Sequence, residues 1–424
     1  MVRKSVSVAL LFMVSVTCLA LDAEESAEYR QWRMRSGQSS SVKLCVVDLD
    51  DTQVRLKRED NGKIVDIPIA HLSRADREYL IAYAQAGTSG GDADVAAGDW
   101  YQWRGPNRDG ICTETGLASE WSAEGPPLAW RVEGLGNGMS SVAIHGDRIY
   151  TQGNKDGATQ LICRSRTDGA PLWETPIGGG SDPNCTPTVD PQANLVFGLT
   201  HAGELLCADA QTGRELWRKS FPKDFGGKMM SGWGYSESPL VDGDRLICTP
   251  GAEDAMIVAL DKKTGNLVWK CDMSQEAKDG NEGAGYSSIV VSNAAGVKQY
   301  VQLIGRGVIG VEAETGRFLW RYRRVANGTA NVPTPIVKGN FVFCSSGYGD
   351  GGTALLEVGR QGNQVGVREV YWKPANELQN HHGGMILIGD HVYMGHGHNN
   401  GFPACVEFAT GRNLWEKQRG AGSG

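Results

Sequence analysis

Histidine side chains are concentrated near the end of this 424-residue chain. Five of the eight histidines lie within one short stretch, at His381, His382, His391, His396 and His398. Imidazole nitrogens bind transition metals, so His381, His382, His396 and His398 are candidate metal ligands. The stretch contains no cysteine. The alternative, which the sequence favours, is that these histidines are ordinary turn and loop residues.

The ten cysteines form no CxxC pair, no adjacent pair and no CxxCH sequence. Their spacing therefore predicts neither a zinc ribbon nor a haem site. Cys207, Cys248 and Cys344 lie inside apolar runs that have the pattern of strands. Because cysteine in such runs packs as a small hydrophobic residue, we expect core packing rather than a disulfide framework.

Serines recur just before predicted strands, at 140–141, 236–238 and 287–288. Their hydroxyls could bind a polar ligand, but hydrogen bonds to crowded backbone groups are the favoured interpretation. The sequence contains no GxSxG elbow, no P-loop and no HExxH helix. Hydrolase and nucleotide-binding functions therefore have no motif support, and we predict no catalytic residue.

Composition sets broad limits on the class of protein. Hydrophobic residues make up 40% of the chain, which has 57 glycines and 16 prolines, as expected of a globular, turn-rich protein. The formal net charge of -7 makes nucleic acid an unsuitable partner.

The first twenty residues have the pattern of a secretory signal peptide. Arg3 and Lys4 precede an apolar run over 6–20, and Cys18-Leu19-Ala20 offers a small-residue cleavage pattern. We therefore predict a signal peptide over 1–20 and a periplasmic or secreted protein without an integral membrane span after its removal. A retained anchor and a lipoprotein formed at Cys18 remain alternatives.

A small domain is predicted over 28–86. Alternating apolar and polar residues meet at Asp50-Asp51 as in a hairpin, further strands follow over 63–72, and a helix begins after Ser73. The pattern resembles the SH3-like homology domain first described in yeast endocytic adaptors and found in many exported planctomycete proteins. That resemblance implies a small β-barrel with one helix and, as an alternative function, an adaptor that binds peptides. Residues 87–99 lack an apolar face and are predicted to form a flexible linker.

From about residue 100 onward, one unit repeats: an apolar strand, a turn with Thr-Gly or Asp-Gly, three residues and a tryptophan. The turn glycines are Gly169, Gly213, Gly265, Gly316 and Gly411, and the tryptophans are Trp173, Trp217, Trp269, Trp320 and Trp415. Trp130 and Trp372 fill equivalent places, which gives tryptophan spacings of 43, 44, 52, 51, 52 and 43 residues. Periods of this length are typical of four-stranded propeller blades, in which these residues would dock neighbouring blades.

The unit is complete as AxDxxTGxxxW at Ala259, Asp261, Thr264, Gly265 and Trp269. It resembles the tryptophan-docking motif of the pyrroloquinoline-quinone (PQQ) repeat family, and Trp103-Arg104-Gly105-Pro106 is similar to the opening of its exported bacterial branch. The resemblance implies an all-β fold over 100–424, a β-propeller with six repeat units. Residues 419–424 are similar to residues 133–138, which open a blade, so we expect an incomplete ring and a truncated sequence.

The function depends on whether the chain can hold the cofactors of this family. Quinoprotein dehydrogenases of this family hold PQQ and calcium, often near adjacent cysteines, and this chain has no adjacent cysteines and no assignable calcium ligands. We therefore expect no cofactor and no catalysis, and a scaffold that binds a protein or polymer partner. The alternative is a PQQ- and calcium-dependent oxidoreductase acting on an alcohol or a sugar.

Overall fold

The computed structural model describes residues 30–36, 38–49, 53–73, 75–77, 79–80, 98–276, 282–362 and 364–417. The chain divides into two compact units, 1–86 and 87–424. The predicted signal peptide, residues 1–20, and residues 87–97 of the predicted linker lie outside the described residues. In the part that is described, no helix combines the length and the apolar character needed to cross a bilayer.

The first unit contains one antiparallel sheet. Its strands are β1 (Leu44–Leu49), β2 (Gln53–Arg58) and β3 (Ile64–Pro68), and a 3-10 turn follows at Ile69–His71. Trp32, Val54, Leu56 and Leu72 form its buried core. The predicted β1–β2 hairpin is present, with Leu49 opposite Val54. Over 63–72 the structure has one named strand and the 3-10 turn instead of two strands, because Pro68 offers no N–H for a continued ladder.

The second unit consists of six four-stranded antiparallel sheets, each built from consecutive strands. The first has β4 (Ala143–His145), β5 (Arg148–Lys155), β6 (Ala158–Ser165) and β7 (Pro171–Gly179). The second has β8 (Thr188–Asp190), β9 (Leu195–Leu199), β10 (Glu204–Asp209) and β11 (Glu215–Ser220), followed by a short α-helix at Phe221–Phe225. The third has β12 (Leu240–Asp242), β13 (Arg245–Cys248), β14 (Val258–Asp261) and β15 (Leu267–Lys270).

The remaining three sheets repeat this plan. The fourth has β16 (Val290–Ser292), β17 (Gln299–Ile304), β18 (Gly307–Glu312) and β19 (Phe318–Tyr322), with a 3-10 turn at Ala294–Gly296. The fifth has β20 (Ile336–Lys338), β21 (Phe341–Ser345), β22 (Gly352–Gln361) and β23 (Gln364–Pro374). The sixth has β24 (Ile386–Ile388), β25 (His391–His396), β26 (Phe402–Glu407) and β27 (Asn413–Glu416), with a 3-10 turn at His398–Asn400. The all-β propeller fold expected from the repeats is therefore confirmed.

The hydrophobic core lies between the blades. Leu205 and Cys207 of the second blade pack in one cluster with Leu246 and Cys248 of the third. The middle strands are almost wholly buried because each covers a neighbouring sheet, as radial stacking requires. Among the described cysteines all are free thiols, and all except Cys112 are buried, in agreement with the expected core role.

The docking tryptophans lie beside a β-bulge in the fourth strand. A Cβ atom built on Gly213 would lie 2.5 Å from Trp173, and one on Gly265 would lie 2.8 Å from Trp217, so each indole rests on the turn glycine of the next blade. Both glycines have positive φ, 73° and 70°. Each indole N–H donates to a carbonyl of that next blade: Trp173 to Ala210, Trp217 to Lys262 and Trp269 to Ala313, at 3.0 to 3.2 Å.

Two predicted docking residues have other surroundings. In the fifth blade, Tyr371 rather than Trp372 rests on Gly411, and its hydroxyl donates to the carbonyl of Phe408 at 2.9 Å. The bulge puts Tyr371, opposite Leu355, in the place the tryptophans hold elsewhere. The next blade after Trp320 has the long β22–β23 hairpin, which offers no Thr-Gly turn for the indole. The indole N–H of Trp320 therefore donates to the Gln299 side chain of its own blade.

The first and last docking tryptophans, Trp130 and Trp415, differ in their surroundings. Trp130 rests on Gly169 and donates to the carbonyl of Arg166 at 3.1 Å, although it lies in no strand. Trp415 is 45% exposed and contacts Tyr393 of its own blade, with 6.3 Å between ring centroids. Trp415 therefore contributes less buried area than Trp269, which is 8% exposed.

The carboxylate eight residues before the docking tryptophan accepts hydrogen bonds from the turn. Oδ1 of Asp261 does so from Lys263 at 3.1 Å and from Thr264 at 2.8 Å, and Asp209 repeats this pattern. Glu407, one methylene longer, accepts the Thr410 hydroxyl at 2.5 Å instead. In the Thr-Gly turns, an aspartate therefore bonds the backbone directly, whereas the longer glutamate bonds the threonine side chain.

Candidate functional site

One end of the propeller collects two sets of loops. In each antiparallel blade, the loop before the innermost strand and the loop between the second and third strands lie at the same end of the sheet. We call this end the loop face. It includes residues 181–187, 201–203, 229–239, 327–335, 346–351, 379–385 and 397–401.

The loop face contains an open cavity of about 900 Å³. Its lining is polar apart from one indole: Ser181, Asp182, Asn184, His201, Ser231, Gly232, Trp233, Gly328 and Thr329. These residues come from loops of the second, third and fifth blades, so they meet only in the folded ring. Trp233 is 51% exposed, in contrast to a docking indole such as that of Trp269, which is 8% exposed.

Hydrogen bonds hold the loop that carries Trp233. The Ser231 hydroxyl and the Tyr286 hydroxyl are 2.7 Å apart, and Ser231 Oγ also donates to the Thr329 carbonyl at 2.6 Å. The backbone N–H of Trp233 donates to the Tyr286 hydroxyl at 3.3 Å. The loop is therefore tied to both the fourth and the fifth blade before any ligand arrives.

A second exposed apolar side chain lies on the same side. Met139 is 83% exposed, and its backbone N–H donates to the carbonyl of Pro183 at 2.8 Å. Pro183 lies between Asp182 and Asn184, which both line the cavity. Asn184 in turn donates to Ser236 Oγ at 3.1 Å, on the loop of Trp233. Met139 and Trp233 are therefore two exposed apolar side chains on the loop face, and Trp233 lines the polar cavity.

Hydroxyl groups link the innermost strands around the axis. Ser238 Oγ accepts the N–H of Thr186 at 3.0 Å, Ser288 Oγ accepts the N–H of Ser238 at 2.9 Å, and Thr334 Oγ1 accepts the N–H of Ser288 at 3.0 Å. Each acceptor lies two residues before an innermost strand. Ser238 and Ser288 therefore have the structural role that the sequence favoured, since they satisfy backbone donors where the blades crowd together.

The segment 98–110 contacts several blades of the propeller. Trp100 pairs with Ile144 of β4, and the carbonyl of Tyr101 accepts the N–H of Val189 in β8. Arg104 donates to the carbonyl of Met385, and Arg108 reaches the third blade. The segment around the Trp-Arg-Gly-Pro motif therefore contacts four blades, and within the motif Arg104 supplies the contact to the sixth.

Arg108 and Glu237 are buried near the axis, at 4% and 2% exposure. Loss of hydration lowers the pKa of Arg108 to about 10, although the Glu237 carboxylate opposes this effect. Burial also raises the pKa of Glu237, against hydrogen bonds from Thr249 and Gln302 that lower it. Arg108 donates to the carbonyls of Ser238 and Pro239, and Glu237 accepts from Thr249 and Gln302, so both groups stabilise the packing near the axis.

Three of the four candidate histidines meet in one cluster. The rings of His381 and His382 are stacked with centroids 3.7 Å apart, and the ring of His398 lies 4.1 Å from that of His381. The Tyr348 ring packs on His381 at 4.4 Å, and its hydroxyl lies 3.0 Å from His382 Nε2. His396 is not part of the cluster, since its Nδ1 accepts the N–H of Gln379 at 3.1 Å.

The environment of this cluster favours neutral imidazoles. His381 is 4% exposed, and neither of its ring nitrogens has a hydrogen-bond partner. Burial, aided by His382 and His398, lowers the pKa of His381 to about 4, and burial also lowers the pKa of His382. Tyr348 and His398 adopt positive φ, 63° and 54°, which is rare for such residues and indicates backbone strain.

Neither a metal nor the family's quinone fits these sites. Stacked rings do not aim three nitrogens at one point, and within the described ranges no group of three or more His, Cys, Asp or Glu side chains is arranged to hold a metal ion. PQQ carries three carboxylates, whereas the cavity beside Trp233 is lined by the carboxylate of Asp182 and by no lysine or arginine. Like charges repel, so this lining is a poor match for the quinone.

Sequence reasoning missed Trp233, Met139 and Arg108. Trp233 follows no turn glycine at the repeat spacing, and that departure was the available signal for a different role. Met139 has no neighbouring pattern that distinguishes it. Arg108 belongs to the noted Trp-Arg-Gly-Pro region, but its partner Ser238 is 130 positions away, beyond any local pattern.

Comparisons with known proteins agree with the repeat pattern. The outer membrane protein assembly factor BamB of Burkholderia pseudomallei (strain K96243) is 25% identical over 211 residues, and the match covers 47% of each chain. The present chain thus spans about half the length of the curated relative it matches.

Solved structures with similar folds are more distant in sequence. BamB from Moraxella catarrhalis is 17% identical, with a TM-score of 0.46 over 66% of this chain and 74% of that chain. Quinohemoprotein alcohol dehydrogenase ADHIIG from Pseudomonas putida HK5 is 15% identical, with a TM-score of 0.38 over 70% of this chain and 44% of that chain. Residues 184–417, more than half of the sequence, match the family described as outer membrane protein assembly factor BamB, and the chain therefore belongs to this PQQ-repeat family.

Proposed function

We propose that this chain is an exported β-propeller scaffold that binds a protein or polymer partner through its loop face and performs no catalysis of its own. The observation that carries the proposal is a pair of exposed apolar side chains on the loop face: Trp233 lines an open polar cavity, and the main chain of Met139 is bonded to the segment that lines it. Tryptophan and methionine are enriched at the centres of protein interfaces, where a polar rim surrounds them. A polypeptide is therefore the partner that this face fits best.

Rigidity supports the same interpretation. Ser231, Tyr286 and Thr329 already hold the Trp233 loop through hydrogen bonds between three blades. A preformed surface loses little conformational entropy on binding, which favours affinity. Membership of a family of assembly factors is also consistent with a role among other proteins in the bacterial envelope. Such a role requires export, which the predicted signal peptide over 1–20 would direct.

Site-specific photo-cross-linking tests the proposal. A photoreactive amino acid at position 139 or 233, in the full chain expressed in its own host, should give a discrete adduct of higher mass. The matched control is position 172, since Leu172 is 43% exposed but lies on the outermost strand β7 of its blade. Equal adducts at 172 and 233, or none at 139 and 233, would contradict a partner on the loop face.

The two alternative functions have their own tests. Deletion of residues 28–86 should leave the adducts at 139 and 233 unchanged, whereas their loss would support an adaptor that works through the N-terminal domain. Stoichiometric uptake of PQQ with calcium, seen as an absorbance band together with dye reduction, would replace the scaffold with an oxidoreductase.

A further inference from the structure

Negative charge surrounds the cavity beside Trp233. Asp182 lines it and is exposed, and exposed Asp350 accepts the N–H of the lining residue Gly328 at 3.0 Å. No lysine or arginine is among the lining residues. His382, on a neighbouring loop, adds little positive charge near pH 7, because burial lowers its pKa. The cavity therefore attracts cations and disfavours anionic ligands.

The indole of Trp233 is available to such a cation. The main-chain N–H of Trp233 donates to the Tyr286 hydroxyl, which fixes the backbone at this position. The next residue, Gly234, packs closely on His201, since an added Cβ would lie 2.4 Å from the imidazole. Half of the side chain is exposed, and we find no hydrogen bond from its indole N–H within the described residues. An aromatic face in this state attracts a guanidinium or ammonium group through its quadrupole.

The molecule already uses this combination of groups elsewhere. Arg324 lies over the Trp372 ring at 4.8 Å from the centroid and pairs with Glu369 at 3.2 Å. Arg30 lies over the Tyr79 ring at 3.9 Å and pairs with Asp76 at 2.9 Å. Both sites combine an arginine, an aromatic ring and a carboxylate, whereas the cavity offers only the ring and the carboxylate.

We propose that the cavity between Asp182 and Trp233 receives a cationic side chain, arginine or lysine, of the partner polypeptide. This inference rests on the proposed function and specifies the chemistry of the partner. The cation stacks on the indole of Trp233 and forms an ion pair with the Asp182 carboxylate, whose planar oxygens suit the bidentate geometry of a guanidinium. A volume of about 900 Å³ exceeds one side chain, so neighbouring main chain enters as well and meets the neutral groups of Asn184 and Thr329.

Fluorine NMR of the full chain labelled with 5-fluorotryptophan tests the proposal. The Trp233→Ala variant identifies the Trp233 resonance by its loss. The probe is the blocked tripeptide acetyl-Gly-Arg-Gly-amide, the neutral control is acetyl-Gly-Gln-Gly-amide, and cellobiose represents an uncharged sugar. We expect the arginine peptide to shift the Trp233 resonance with millimolar affinity that weakens as salt is added.

Variants separate the site from general surface effects. Asp182→Asn should weaken the arginine peptide about two- to fivefold, in line with an exposed ion pair. Trp121→Ala is the matched control, because Trp121 is 65% exposed but does not line the cavity. It should leave both the Trp233 shift and the affinity unchanged.

The outcomes that overturn the inference are specific. An equal shift with the glutamine peptide, a shift with cellobiose alone, or no shift with tens of millimolar arginine peptide would each exclude a cation site. If the cross-links at 139 and 233 persist in those cases, the scaffold function stands and only the chemistry of the partner is wrong. If the cross-links are absent while the peptide binds, the cavity is a cation site without the proposed scaffold role.

Discussion

Arg108 Nη2 donates to the carbonyl oxygen of Ser238 at 2.6 Å, across 130 positions of sequence. Its Nη1 also donates to the carbonyl of Pro239 at 3.1 Å. Ser238 belongs to the hydroxyl chain that links the innermost strands, so one buried guanidinium connects the opening segment of the propeller to its axis.

Loss of Arg108 should destabilise the propeller strongly. Arg108→Met leaves the carbonyls of Ser238 and Pro239 without their donor and Glu237 without its nearest cation, so we expect the free energy of unfolding to fall by about 3 to 5 kcal/mol. Urea denaturation measures this change. Arg218→Met removes an exposed pair with Glu215 and should cost less than about 1 kcal/mol. Equal effects of the two substitutions would show that the axial contacts contribute little.

The docking tryptophans should differ in their contribution to stability according to burial. Trp269→Ala removes an indole that is 8% exposed, and we expect a cost of about 3 to 5 kcal/mol. Trp415→Ala removes one that is 45% exposed, so the expected cost is about 1 to 2 kcal/mol. Thermal and urea unfolding of the two variants would test the order. A larger loss for Trp415 would mean that its surroundings in solution are more buried than in this structure.

The turn glycines allow a test of close packing against backbone strain. Gly265 and Gly243 both have positive φ, 70° and 59°, so alanine is strained at either position. An added Cβ at Gly265 would lie 2.8 Å from Trp217, whereas at Gly243 it would meet nothing within 4 Å. Gly265→Ala should therefore cost about 1 to 3 kcal/mol more than Gly243→Ala. Similar costs would indicate that the indole moves aside without penalty.

The histidine cluster should make stability depend on pH. The folded-state pKa of His381 is lowered to about 4, below its ordinary value of 6.5, so the folded protein favours the neutral ring. The stabilisation is complete above pH 6.5, and it is lost as the pH falls towards 4, because the unfolded chain then binds the extra proton. A shift of this size corresponds to at most about 3 kcal/mol.

His381→Phe isolates that contribution, since phenylalanine keeps the stacking on His382 and Tyr348 but cannot be protonated. The unfolding free energy of the variant should fall less than that of the wild type between pH 7 and pH 4. Parallel pH profiles for the two proteins would show that His381 is not buried as a neutral ring.

Much of the fold could be predicted because its signals are local. A Thr-Gly turn and a tryptophan four residues after the glycine fix one hairpin, and repetition at propeller spacing then implies stacked blades. The same logic gave the serines that bond backbone groups and the buried cysteines. It placed the docking residue of the fifth blade one position too far, at Trp372 instead of Tyr371, because a bulge determines which side chain faces the next blade.

The sequence by itself determined the blades, their number in this chain and several of the residues that join neighbours, since these depend on contacts within or between consecutive repeats. Only the tertiary structure decided what the loops make together. Asp182, Trp233 and Thr329 belong to three different blades, and the ring contact of His381 with His398 depends on where two loops end. Such contacts join loops that are far apart in sequence and meet only when the blades stack side by side, and no short-range pattern encodes them.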